Sequence, residues 1–149
     1  MENQLYIPTV AELISKGETP DILFWVGCSG SFDERAQRIT RDICKILNHV
    51  GIKYAILGTE ESCTGDPAKR SGNEFLFQMQ AMMNIQVLDG YEIKKIVTAC
   101  PHCFNTIKNE YPNLGGHYEV IHHTQLIQAL IDEGRLKPAD GHEFKGKKI

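Results

Sequence analysis

Short apolar runs, each followed by a stretch of helical spacing, recur along this chain and leave it few folds to choose from. The first, ILFWVG (22–27), is uninterrupted, as a strand covered on both faces of a sheet must be. Behind it, SFDERAQRITRDICKILNHVG (31–51) places Ala36, Ile39, Ile43, Ile46, Leu47 and Val50 at helical intervals. Asp33 and Glu34 fall in the first turn, where a helix favours negative charge, and Gly51 closes the segment. YAILG (54–58) opens a second unit. After the loop TEESCTGD (59–66), Pro67 fits the first turn of a long helix carrying Phe75, Leu76, Met79, Met82 and Met83, with the methionines expected in its core. KKIVTAC (94–100) leads into a helix from Pro101 to about Glu110, stopped at Tyr111-Pro112. HYEVIHH (117–123) leads into another that ends at Gly134. Such alternation predicts an α/β domain: an open, mostly parallel, Rossmann-like sheet of at least four strands, with helices on both faces and right-handed crossovers. A short helix capped by Thr9 precedes it.

At 149 residues the chain is long enough to bury about two-thirds of its unfolded surface without disulfide staples. It carries 42% hydrophobic and 23% charged residues with a net charge of −3, and its basic residues are scattered. That balance points away from disorder and from nucleic acid as a partner. No apolar run approaches the roughly 18 residues of a membrane span, and the first residues lack a secretory pattern, so the expected location is the cytoplasm. Thiols stay reduced there. Five cysteines therefore point to metal or redox chemistry rather than to a disulfide framework.

Four of the five fall at the carboxyl ends of the expected strands: Cys28 after the first, Cys63 in the loop after the second, Cys100 and Cys103 after the third. His122 and His123 end the fourth. Open α/β sheets bind ligands along that edge. Cys44, inside the first long helix beside Ile43 and Leu47, reads as a core residue. The Cys-x-x-Cys of TACPHCFN (98–105) fits a thiol redox pair, a zinc knuckle or part of an iron–sulfur site. Four cysteines suit zinc and iron–sulfur clusters alike. Two lone cysteines and one pair, gathered from across a domain, favour a bulky cluster caged by several loops. Gly27, Gly30 and Gly65 permit close backbone approach, and Lys69 and Arg70 add positive charge nearby. GCSGSF (27–32) lacks the G-x-G-x-x-G of a nucleotide loop.

In order and spacing, WVGCSGSFDERAQ, LGTEESCTGDPAKRSGNEFLFQM and VTACPHCFNTIKNEYP…YEVIHH resemble the cysteine-rich CCG domain of iron–sulfur oxidoreductases. That family includes the B subunit of heterodisulfide reductase and iron–sulfur subunits of glycolate and lactate oxidation systems. The resemblance implies an electron-transfer module holding a 4Fe–4S cluster on Cys28, Cys63, Cys100 and Cys103. It implies redox partner subunits, either flavoproteins or iron–sulfur proteins, and a second CCG domain in the full-length protein. On this reading residues 1–20 form a helical extension and 21–137 the cysteine-rich domain, while 138–149, with EFKGKKI, is a linker or the start of the second domain. One position departs: the family has adjacent cysteines before glycine, whereas here Cys63 is followed by Thr64 and Gly65. Four thiolates still suffice for a cubane. Thr64, Gly65, His102, His122 and His123 are expected around the ligands rather than among them. Two alternatives are a thiol–disulfide oxidoreductase using Cys100 and Cys103, and a structural zinc domain.

Overall fold

The computed structural model describes residues 5–139. Strands β1 (Ile22–Trp25), β2 (Tyr54–Ala55), β3 (Lys95–Thr98) and β4 (Glu119–His122) form one sheet in the order β2-β1-β3-β4, and every pairing is parallel. Alternate residues of each strand serve opposite faces. Leu23, Trp25, Ile96 and Val120 join one apolar cluster, and Ile22, Phe24 and Val97 the other, with Ile121 packed against it. The first cluster is roofed by α1 (Val10–Ser15) and α5 (Glu74–Gly90), the second by α3 (Glu34–His49) and α7 (His123–Asp132). Helices thus cover both faces of an open parallel sheet. The connection through α3 runs from β1 outward to β2, and that through α5 runs back across β1 to β3. Placing the two on opposite faces is what a common crossover hand requires.

Several elements differ locally from the sequence reading. The stretch after β1 folds as two helices, α2 (Gly27–Phe32) and α3, because the Asp33 carboxylate accepts the Ala36 N–H at 2.8 Å and starts a new helix. Cys28 therefore lies in the first turn of a helix. The expected long helix after Pro67 is likewise two, α4 (Asp66–Arg70) and α5. Gly72 adopts φ +84°, and Asn73 then caps the Leu76 N–H at 3.1 Å. Beyond β3 the chain winds through α6 (Pro101–Asn105), a wider π-type turn (106–110) and a tight turn, Tyr111–Leu114, so Pro112 does not stop the winding. The fragment EFKGKKI lies outside the described residues.

The methionines of α5 overturn their expected place in the core. Met79, Met82 and Met83 are 47%, 53% and 57% exposed, alongside exposed Phe75 and Leu76. Phe77, Ala81, Ile85 and Leu88 form the buried face instead. The helix is apolar on both sides, so hydrophobicity alone did not reveal which side faces inward. Replacing Met79, Met82 and Met83 together with glutamine is expected to change stability by less than about 0.5 kcal/mol per site, read from the denaturation midpoint. Loss of more than that would return the methionines to the core. Ile39, also expected to pack inward, is 47% exposed. Cys44 is fully buried, as its position in α3 suggested.

Candidate metal centre

The strand order reverses direction between β1 and β3, the point at which open α/β sheets form a crevice beyond their carboxyl ends. Cys28 follows β1 at one side of that crevice, and Cys100 and Cys103 follow β3 at the other. The loop after β2 brings in Cys63. All four cysteines line one cavity of about 380 Å³, together with Gly27, Thr64, Asp66, Arg70 and His102. Cys28 is exposed, Cys63 and Cys100 half-buried, Cys103 buried, and all are free thiols.

Backbone geometry shapes the space around these thiols. Gly27 has φ +78°, and a Cβ there would lie 3.4 Å from Cys103 Sγ, so any side chain at this position would enter the site. Gly65 has φ +89°, and its backbone passes so near α5 that a Cβ would stand 2.8 Å from the Phe77 ring. N–H groups point at sulfur: Cys103 N donates to Cys100 Sγ at 3.4 Å and Gly65 N to Cys63 Sγ at 3.5 Å. Thr64, buried, directs its hydroxyl toward Cys103 Sγ at 3.9 Å. Hydrogen bonding from Cys103, aided by N–H groups and His102, lowers the Cys100 thiol to about 5 against the opposing effect of burial. The same interaction and burial push Cys103 upward, and the two thiols titrate as a coupled pair.

Residues that the sequence reading did not single out fix the loops. Glu61 accepts the N–H of Gly27 at 2.6 Å and of Val26 at 3.0 Å, tying the Cys63 loop to the Cys28 turn. Burial pushes its carboxyl up to about 7 while those two N–H groups pull it down. Asn84 on α5 donates to the Cys63 carbonyl at 2.9 Å and to the Tyr111 hydroxyl at 3.1 Å. Tyr111 in turn donates to the Thr64 carbonyl at 3.1 Å. Tyr111→Phe removes one donor and one acceptor from this buried network and is expected to cost about 1–3 kcal/mol. Equal denaturation midpoints for parent and variant would show that the network does not hold the loop. Asp66, also buried, takes the Thr106 hydroxyl at 3.1 Å and Arg70 Nε at 3.2 Å.

His102 does not reach for sulfur. Its Nδ1 pairs with Asp66 at 3.1 Å, on the rim of the cavity. Neither His122 nor His123 lines the thiol cavity. His122 uses both ring nitrogens, on the Ala99 carbonyl at 3.0 Å and the Thr124 hydroxyl at 2.8 Å. His123 starts α7 and lines an adjoining cavity with Cys100 and His102. Arg70 lines the thiol cavity but is engaged by Asp66 and Glu110, and Lys69 pairs with Glu74. Gly30 lies not against the thiols but against α3, where a Cβ would meet Thr40 Oγ1 at 2.8 Å.

The family model for the CCG cysteine-rich domain matches residues 22–108, more than half of the chain and a span that includes all four cavity cysteines. The chain belongs to the CCG cysteine-rich family. Relatives of this CCG domain include the "Probable iron-sulfur-binding oxidoreductase FadF" of Bacillus subtilis, 48% identical over 132 residues, covering 89% of this chain and 19% of that protein. The "EtfAB:quinone oxidoreductase" of Syntrophomonas wolfei is 43% identical over 123 residues, 83% of this chain and 17% of that one. A subunit of the dihydromethanophenazine:CoB–CoM heterodisulfide reductase of Methanosarcina barkeri is 33% identical over 123 residues, 78% of this chain and 30% of that subunit. The chain thus spans less than a third of the length of these relatives. No solved structure matches it. Among the described residues no helix is long and apolar enough to cross a membrane, and no three His, Cys, Asp or Glu side chains close on a point that would hold a single metal ion.

Proposed function

We propose that this CCG domain holds an iron–sulfur cluster, a 4Fe–4S cubane, on Cys28, Cys63, Cys100 and Cys103 and serves as an electron-transfer module of an oxidoreductase. The observation that carries the reading is the single cavity of about 380 Å³ lined by four thiols from the ends of three strands. Thiolates framing a volume rather than a point suit a cluster, in which each cysteine binds a different iron, better than a zinc ion with four sulfurs at about 2.3 Å. The names of the relatives, an iron-sulfur-binding oxidoreductase among them, support the same reading. When bound, the cluster supplies one-electron transfer. The protein's own contribution is to fix four sulfurs, to keep a side chain out of the space at Gly27, and to direct the N–H groups of Gly65 and Cys103 at sulfur, which raises a cluster's potential. Thr64 stands where the family's second adjacent cysteine would be, so the site lacks the thiolate doublet, and its hydroxyl adjusts the Cys103 sulfur instead.

In the whole protein we take residues 21–137 as the cysteine-rich domain, 138–149 as a linker or the start of a second CCG domain, and flavoprotein or iron–sulfur subunits as electron partners in the cytoplasm. The test is iron and acid-labile sulfide per chain after anaerobic purification, with an absorbance scan. Four irons per chain with broad absorbance near about 400 nm is the expected result for a cubane. Serine at any of the four cysteines is expected to abolish it, whereas Cys44→Ser should retain it. A colourless, zinc-loaded protein would overturn the reading. The lowered Cys100 thiol favours one second reading, a thiol–disulfide pair with Cys103. Cys28→Ser separates the two, because it leaves such a pair active and removes a cluster.

A further inference from the structure

Helix α5 carries a second apolar side, turned outward. Phe75, Leu76, Met79, Met82 and Met83 recur three, four and seven residues apart and so lie along one stripe, with Phe75 76% exposed and the other four 41–57%. Phe77, Ala81, Ile85 and Leu88 already supply the buried side of the helix. Gln86, which continues the stripe, and Gln78, which borders it, are exposed and neutral, and no charged residue occurs from Phe75 to Leu88. At about 200 Å² for a whole large side chain, these exposures amount to roughly 500 Å², in the range of the largest apolar patches on ordinary monomers.

We propose that two copies of this chain pair through α5, antiparallel about a two-fold axis at Met79. Counting outward from that axis sets Phe75 of one copy opposite Met83 of the other, and Leu76 opposite Met82, so one patch meets itself, as a closed two-fold dimer requires. The stripe supplies what such a pairing needs. Leu76, Met79, Met83 and Gln86 follow at intervals of three, four and three, the spacing of a helix seam that packs on a like seam. Beside Met83 the surface opens into a cavity of about 420 Å³, which Ser62, Asn84, Gln86 and Val87 also line, and the pairing brings the exposed Phe75 ring of the other copy to its mouth. Ser62 and Asn84 are hydrogen-bonded to each other at 2.8 Å, so a ring placed there strands neither. Charge is also matched. A partner chosen by charge would find nothing to hold on the stripe, whereas a second copy brings an equally neutral face. The antiparallel arrangement turns the acidic carboxyl end of each α5, with Asp89, toward the positive amino end of the other. Joining two stripes buries roughly 1,000 Å², enough for a specific interface but at the weak end of the range, so the pair comes apart in the dilute solutions used to read denaturation midpoints. The pairing goes beyond the electron-transfer reading, because no cysteine takes part in it.

The test is sedimentation equilibrium of the whole chain, kept reduced and anaerobic so that no disulfide joins the free thiols. The expected result is a reversible rise from monomer mass to twice that mass as concentration increases. Phe75→Lys and Met83→Glu each bring a charge into the apolar contact and are each expected to weaken the pair by at least about tenfold. Mixed in equal amounts, the two variants are expected to recover association, because a mixed pair sets the new cation against the new anion at one contact and keeps Phe75 against Met83 at the other. Both positions are exposed, so the variants should unfold at the parent's midpoint. Monomer mass up to the solubility limit overturns the proposal and leaves the stripe to a different protein or to another part of a longer chain. That result comes from the unaltered protein, whatever the variants do. Dimers that neither variant weakens overturn it as well, and so does a mixture that associates no better than the separate variants. Iron content, measured in parallel, reports on the four-cysteine reading separately, since both variants leave all four thiols in place.

Discussion

Gly65→Val is expected to destabilise the protein by about 3–5 kcal/mol, a large fraction of the roughly 5–15 kcal/mol that holds a domain folded. Two costs add. The backbone at Gly65 has φ +89°, a conformation that costs a residue with a side chain about 1–2 kcal/mol and a β-branched one more. The new Cβ would also stand 2.8 Å from Phe77 Cδ2 and 3.2 Å from the Phe77 carbonyl, and forcing extra atoms into packed surroundings costs about 1–3 kcal/mol. Phe77 is a fully buried side chain in the larger cluster, and a carbonyl on α5 cannot retreat without disturbing the helix, so neither neighbour yields cheaply. Gly72→Val separates the contributions. Gly72 has φ +84°, and a Cβ added there would meet nothing within 4 Å, so only the backbone cost applies. Chemical denaturation of both variants should show Gly65→Val worse by about 1–3 kcal/mol. If the two midpoints agree, the close approach of the Cys63 loop to α5 is not a constraint.

Glu61→Ala is the second large effect, expected at about 2–4 kcal/mol together with poor retention of metal at the thiol site. The carboxylate accepts two backbone N–H groups, those of Val26 and Gly27, and alanine leaves both without a partner in a partly buried turn. Each orphaned donor costs about 1–3 kcal/mol, and the total is reduced because a buried carboxyl, itself disfavoured, disappears with the substitution. Glu61→Gln keeps one accepting oxygen but turns an NH₂ group toward the second N–H, so an intermediate loss is expected. Amide hydrogen exchange gives the sharper measurement. In the parent protein the Gly27 amide should be protected, and in Glu61→Ala it should exchange much faster, while amides of β3 remain slow. Unchanged protection at Gly27 would show that another group holds the Cys28 turn.

Much of this architecture was legible in the residues because the signal was strong and local. ILFW reads as a doubly covered strand and folds as one, and the carboxyl-end placement of Cys28, Cys63, Cys100 and Cys103 follows once the strands are recognised. The helix breaks were less visible. Asp33 and Asn73 are both good capping residues, but Asp33 equally suits the first turn of one helix and Pro67 offers an earlier start for the other, so neither break stood out. The α5 methionines were misplaced because apolar and polar residues are spread around that helix, with Asn84 on its buried side, so its pattern does not mark which side faces inward. Glu61, Asn84 and Tyr111 stayed hidden for another reason. Their roles come from backbone groups on distant segments, and a sequence shows which side chains can accept or donate but not which carbonyl or amide will need them. The order β2-β1-β3-β4, with β1 and β3 adjacent, is not written in the strand spacing, and only the fold shows that the crevice opens between them.

That strand order also sets a sequence of events in time. The crevice needs β1 against β3, and the whole of β2, α4 and α5 lies between them along the chain, so the pairing closes a long loop whose entropy must be met before any contact rewards it. The two apolar clusters, rather than the thiols, supply most of the contacts that do so, and of the four cavity cysteines only Cys103 belongs to the buried part of either cluster. Assembly is therefore expected to run from chain collapse to sheet to thiol cage, with metal arriving last at a preformed pocket. A zinc finger runs the other way, its metal driving the fold.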